Sequence, residues 1–157
     1  MSNNQLIKPE YIQNLIFTIR GVQVMVDRDL AEMYGVGTKV LNQAVKRNIE
    51  RFPKTFRFQL NNNEKIELVT NCDRFENIKH SSVNPYVLTE QGVAMLSAFL
   101  RSNTAVKVSI QIIQAFVEMK KFISTNAGIF QRLDKVELKQ IESDKRFDKN
   151  DPSSRRC

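Results

Sequence analysis

Cysteine is nearly absent: the 157 residues hold two, Cys72 and Cys157, and the second is the last residue. A disulfide framework and a multi-ligand metal cluster are therefore excluded, and a reducing setting fits. Histidine is scarcer still. Its one copy, His80, sits in the polar run "ENIKHSSVN" with no partner to orient it, so it reads as surface rather than as an acid–base group. No run of eighteen apolar residues occurs, and Met1 to Lys8 lacks the basic-then-apolar order of a secretion signal. Gly-rich phosphate loops, nucleophile elbows and carboxylate sets spaced for magnesium are missing as well. These absences lead to the expectation of a cytoplasmic protein outside the membrane, not an enzyme, with no cofactor and no metal.

What the chain does have is positive charge. Lys and Arg number 24 against 17 Asp and Glu, a net charge of +7 with an isoelectric point near 9.6. That balance favours a polyanionic partner such as nucleic acid. With 41% hydrophobic residues the chain can bury one core. The expected organisation is one domain over residues 8–125, followed by a charged helical or coiled-coil-like linker and a disordered tail over 126–157. In that linker Ile129, Leu133 and Val136 recur at helical spacing among charges of both signs.

Along the domain the apolar period changes several times. "LIFTIRGVQVMV", Leu15 to Val26, alternates about Arg20-Gly21. Pairing Ile19 with Val22, Phe17 with Val24 and Leu15 with Val26 sets all six on one face of a hairpin, with a loop longer than two residues because arginine suits a tight primed turn poorly. Asp27 is placed to cap a helix from Arg28 to Tyr34, which Gly35 ends. A second helix is expected from Thr38 to about Arg51, stopped by Pro53. "FRFQL", Phe56 to Leu60, alternates as a strand, and Asn61 with Glu64 resembles a capping box opening a helix to about Val69. Residues 71–84 show no period and read as a mobile or functional loop. Tyr86 to Leu88 suggests a short strand, Thr89 caps a helix to about Leu100, and a long helix spans Asn103 to about Ser124. Its apolar residues form a wide stripe, Ala105, Val108, Ile112, Phe116, Met119 and Ile123 with Val106, Ile110, Ile113 and Val117 beside them, expected to be the spine of the domain.

The stretch Asp29 to Phe52 has the spacing of a helix-turn-helix. Two helices that cross steeply want a small residue where they touch and a turn residue that tolerates positive φ, and Ala31 and Gly35 fill those places. Leu30, Tyr34, Val36, Leu41 and Val45 then anchor the pair, which leaves Thr38, Lys39, Asn42, Gln43, Lys46 and Arg47 facing outward. Amides such as Asn42 and Gln43 can bond adenine edges, Lys46 and Arg47 can meet guanine or phosphate, and the helix start at Thr38 suits a phosphate. Between Thr38 and Arg57 the bases Lys39, Lys46, Arg47, Arg51, Lys54 and Arg57 oppose only Glu50, which concentrates net +5 in this stretch. These nine residues other than Glu50, Thr38, Lys39, Asn42, Gln43, Lys46, Arg47, Arg51, Lys54 and Arg57, are the expected DNA contacts. Arg20 at the hairpin tip reads as a solvated turn arginine in preference to a wing that touches DNA.

The order of these segments resembles a known family, the "ORF-six N-terminal" domain of phage and bacterial proteins, a relative of the KilA-N domain. The resemblance is carried by "IRGVQVMVDRDLAEMYGV", "LNQAVKRNIERFP", "FRFQL", "LTEQGVAMLSAFLRS" and "IQAFVEMKKF". It implies a DNA-binding domain of phage and mobile-element proteins, often N-terminal to a variable region. The combined expectation is an α+β fold in which a helix-turn-helix, a small antiparallel sheet and two C-terminal packing helices form a reader of double-stranded DNA. The competing expectation is a protein-interaction module, an antirepressor-like adaptor or a homodimer joined through the C-terminal helices.

Overall fold

The computed structural model describes residues 9–126. The charged linker and tail expected beyond residue 126 lie outside the described residues. A short helix α1 (Pro9–Gln13) precedes the strands β1 (Phe17–Ile19) and β2 (Val22–Val26). The helices α2 (Asp27–Tyr34) and α3 (Thr38–Arg47) follow, then β3 (Arg57–Gln59), α4 (Asn62–Asn71), β4 (Tyr86–Leu88), α5 (Glu90–Leu96) and α6 (Asn103–Thr125). The strands make one antiparallel sheet in the order β1-β2-β4-β3. The architecture is α+β, as the sequence pattern led one to expect.

Successive strand residues face opposite sides of a sheet, and here both sides are covered. From β2 and β4, Met25 and Leu88 enter a core shared with Leu30, Leu41, Val45, Leu96, Ile112 and Phe116 of the helices. Val24, Val26 and Val87 enter a second core with Leu60, Leu68, Cys72 and Phe75. Burying one such large side chain contributes about 1.5–3 kcal/mol before conformational entropy is charged against it. The second core is where the sequence reading needs correction. Residues 71–84 are no open loop: a 3-10 segment, Asp73–His80, follows α4 directly, and its Phe75 is fully buried. Three residues per turn leave no 3.6 period to detect.

The hairpin register is as expected for Ile19 with Val22 and Phe17 with Val24. Leu15, however, precedes the strand and packs in the first core, and Val22 is exposed, so the six residues do not share one face. The loop is two residues long, with φ of 55° at Arg20 and 79° at Gly21. Arginine tolerates the left-handed conformation because its side chain is anchored. Its Nε and Nη2 donate to the two Glu64 carboxylate oxygens at 2.8 and 2.9 Å, and the guanidinium lies 4.4 Å from the Phe58 ring centre. Arg20 is therefore not merely solvated: although exposed, it clasps the hairpin to the first turn of α4. The same Glu64 completes the expected capping box with Asn61.

Other helix boundaries follow from caps. Thr89 caps α5 by accepting the Gly92 N–H, and Ser102 caps α6 through the Ala105 N–H. α5 ends at Leu96 rather than near Leu100. A Cβ on Gly92 would stand 2.3 Å from the Phe56 carbonyl oxygen, so only glycine lets α5 lie this close to the chain entering β3. On α6 the wide stripe separates in two. Ala105, Val108, Ile112 and Phe116 of the expected spine are buried, with Ala115 beside them, while Met119 and Ile123 are only half-buried and Val106, Ile110 and Val117 are exposed.

Candidate nucleic-acid interface

The helix pair α2–α3 is built from its turn. Gly35, at φ 73°, ends α2 in the left-handed conformation; its N–H donates to the Glu32 carbonyl at 3.1 Å and that of Val36 to the Ala31 carbonyl at 3.0 Å. These two bonds form the closed helix end that glycine permits. Ala31 is buried and Val36 packs against the same core, which fixes the angle at which the chain enters α3. The Tyr34 hydroxyl and the Ser109 hydroxyl, 2.6 Å apart, join α2 to α6.

α3 is held on one side and open on the other. Leu41 and Val45 are fully buried, whereas Lys39, Val40, Gln43, Lys46 and Arg47 are exposed. At about 100° per residue Lys39, Gln43 and Lys46 form one row along the helix, flanked by Val40 and Arg47 and turned away from Leu41 and Val45. Gly37 at the N-cap provides no side-chain acceptor, so the first N–H groups of α3 have no side-chain cap. Beside the row runs a cleft of about 430 Å³, whose facing wall is the segment from Ser81 to Tyr86. Arg28 of α2 also lines it.

The expected contact residues divide accordingly. Thr38, Lys39, Asn42, Gln43 and Lys46 share the cleft, and Arg47 is exposed on α3 outside it. α3 stops at Arg47, not Arg51, with the Asn48 amide donating back to the Ala44 carbonyl; a 3-10 turn, Ile49–Arg51, follows. Arg51 and Lys54 are exposed past the end of α3, and the Arg51 guanidinium lies 5.7 Å from the Phe99 ring centre.

Two of the expected DNA contacts, Asn42 of the outward set and Arg57, are bonded within the protein. The Asn42 amide nitrogen donates to Asp27 Oδ2 at 2.8 Å, and its oxygen accepts from Arg57 Nη2 at 3.3 Å. The Arg57 guanidinium in turn stacks 3.7 Å from the Tyr86 ring centre. The cause is Asp27. It does not cap α2 as expected; it is the first residue of the helix, buried, with Oδ1 accepting the Arg28 N–H and Oδ2 accepting the Tyr86 N–H. A buried carboxylate needs donors, and Asn42 is the donor that α3 supplies. Burial raises the Asp27 pKa, and the bonds from Asn42, Tyr86 and Arg28 offset that only in part. Burial likewise lowers the pKa of Arg57, which stays charged at neutral pH. Asn42 and Arg57 thus set the rotation of α3 on the sheet.

A second carboxylate steadies the other side of α2. Arg74 donates to both Asp29 oxygens, at 2.7 and 3.3 Å, and ties α2 to the 3-10 segment. Burial pushes the Asp29 carboxyl up, with Arg74 acting in the opposite direction.

Residues 14–99, more than half of the chain, match the family model of the ORF6N domain. The chain belongs to the ORF6N domain family. The matched stretch of this ORF6N protein contains the hairpin, both helices of the turn, the whole sheet and α5; α6 lies beyond it. No curated protein and no solved structure gives a significant match to the chain. Among the described residues no group of His, Cys, Asp and Glu is arranged to hold a metal ion, and no helix is long and apolar enough to cross a membrane.

Three features of the site escaped the sequence reading. Val40, 55% exposed, stands on the outer face of α3. Arg28 and the Ser81–Tyr86 segment border the cleft. Arg28 carries a signal in retrospect, since it lies in the first turn of the helix that precedes a recognition helix. The 81–86 segment has none, because its place is set by the second core.

Proposed function

We propose that this ORF6N protein binds double-stranded DNA, with sequence-specific or semi-specific preference, by laying α3 in the major groove. The observation that carries the reading is the row Lys39, Gln43 and Lys46 with Arg47 and Val40 beside it, exposed on a helix whose opposite face is locked in the core. An amide flanked by bases, and an aliphatic group able to touch a thymine methyl, is the side-chain chemistry of major-groove reading. The helix start, open at Gly37 and next to Lys39, suits a backbone phosphate, and Arg28 suits the strand that α2 crosses.

In this reading Gln43 and Val40 read bases, while Lys39, Lys46, Arg47 and Arg28 hold phosphates or guanine edges. Arg51 and Lys54 add charge at the flank, and Asn42 and Arg57 fix the helix instead of reading DNA. The protein then acts without catalysis or cofactor as a phage or mobile-element transcriptional regulator in the cytoplasm. Selection of fragments from a random duplex pool tests it: a recurring motif is expected with the wild type and a degraded motif with Gln43→Ala. Failure to retain any duplex contradicts the reading.

A further inference from the structure

We infer that the turn 81–84 is a second DNA contact, closing over the sugar–phosphate backbone of one strand while α3 occupies the major groove. The inference rests on DNA binding by α3 and adds which further element grips the duplex, and where. Lys39, Gln43 and Lys46, the outward row of α3, line the same cleft of about 430 Å³ that Val83, Pro85 and Tyr86 close from the other side. DNA that meets the row therefore enters the cleft. An α-helix with its side chains is about 10–12 Å across, and the major groove is about 12 Å wide. α3 alone fills such a groove. The turn beside it then stands on the far side of a bordering strand, and the backbone of that strand passes between the two.

The lining has the chemistry of that occupant. Val83, Pro85 and Tyr86 offer apolar and aromatic surface to a deoxyribose, and Arg28, Lys39 and Lys46 border the same space as cations for its phosphates. Asp27 is the one acid among the lining residues, and its carboxylate is buried and bonded to Asn42 and to the Arg28 and Tyr86 N–H groups. Asp73 and Glu76 line a separate recess with Lys65 and Lys79, and Glu32 is outside the lining. The turn is also fixed in place. Ser81 Oγ accepts the Val83 N–H and donates to the Val83 carbonyl, both at 3.2 Å, and Lys65 Nζ donates to the Ser81 carbonyl at 2.6 Å. The Asn84 amide donates to Asn62 Oδ1 at 3.0 Å, and the Gln59 amide to the Asn84 carbonyl at 3.1 Å. Val83 is thereby held 61% exposed, with little left to order on binding. A contact made to sugar and phosphate positions the duplex and carries no base preference.

Fluorescence anisotropy of the full chain with labelled duplexes at several salt concentrations tests it through Val83→Lys and Val83→Glu, with Ile110→Lys and Ile110→Glu as controls. Ile110 is exposed on the outer face of α6, across the first core from α3, so the controls change net charge equally but away from the cleft. Val83→Lys is expected to tighten binding about threefold or more and to steepen the slope of log affinity against log salt by about one. A misfolded variant cannot produce that gain. Val83→Glu is expected to weaken binding about fivefold or more on selected and random duplexes alike, and the Ile110 variants to change affinity less than about twofold. If the wild type binds and Lys46→Ala weakens it, but the Val83 variants match the Ile110 controls, the turn is no contact and the inference falls while the DNA reading stands. A Val83 effect confined to the selected sequence overturns the backbone role. A wild type that binds no duplex removes the DNA reading and this inference with it.

Discussion

The amide of Asn42 and the buried carboxylate of Asp27, 2.8 Å apart, join the helix expected to enter DNA to the helix that precedes it. Asp27 also accepts the backbone N–H of Tyr86, so one carboxylate connects α2, α3 and β4. Two amides one residue apart on α3 consequently have different tasks. Asn42 sets the orientation of the helix, and Gln43 presents hydrogen-bonding groups to the outside.

Asn42→Ala and Gln43→Ala are expected to separate these tasks. The first withdraws a donor from a buried carboxylate and should destabilise the fold by about 1–3 kcal/mol in denaturant titrations. It should weaken binding to every duplex alike. The second should leave stability within about 0.5 kcal/mol and cost about 1–3 kcal/mol of affinity on the selected site only. Equal losses on selected and random DNA for Gln43→Ala would remove its base-reading role.

The Asp27 carboxyl gives stability a pH dependence of known sign. Its folded pKa lies above the unfolded value because burial disfavours the charge. The folded state therefore binds the proton more tightly, and the contribution is fully present below the ordinary aspartate value of about 3.9 and lost as pH rises through the raised folded value. Relative to Asp27→Asn, which does not titrate, the wild type should gain stability as pH falls through that window. Chemical denaturation of both proteins at matched pH values measures the difference; a flat or reversed trend contradicts the burial argument.

Gly92→Ala is expected to be poorly tolerated although alanine favours helices. The added Cβ meets a backbone carbonyl at 2.3 Å, which no side-chain rotation relieves. A loss of about 1–3 kcal/mol or more is expected, read from the denaturant midpoint. An unchanged midpoint would show that α5 can move away from Phe56 at little cost.

Much of this fold was legible because local rules and tertiary structure agree. The pairs Ile19–Val22 and Phe17–Val24, the caps at Asn61 and Thr89, and the Ala31–Gly35 spacing each answer a local demand of backbone geometry or hydrogen bonding. What could not be read depended on distant partners. Asn42 looks like its neighbour Gln43 in sequence, and only the folding of Asp27 inward and of Arg57 beside Tyr86 engages its amide within the protein. Phe75 gave no periodic signal because a 3-10 segment has none of the helical kind. The two rows of α6 were indistinguishable by hydropathy, since only the packing decides which one the core takes.

The outward face of α3 is tested most directly by fluorescence anisotropy with a labelled duplex over a series of salt concentrations, for the wild type and for Lys46→Ala. With about five basic side chains on phosphates, log affinity should fall against log salt with a slope near −4 to −5, and Lys46→Ala should make that slope shallower by about one while weakening all duplexes similarly. Absence of duplex binding at low salt, or binding indifferent to salt, would contradict the account.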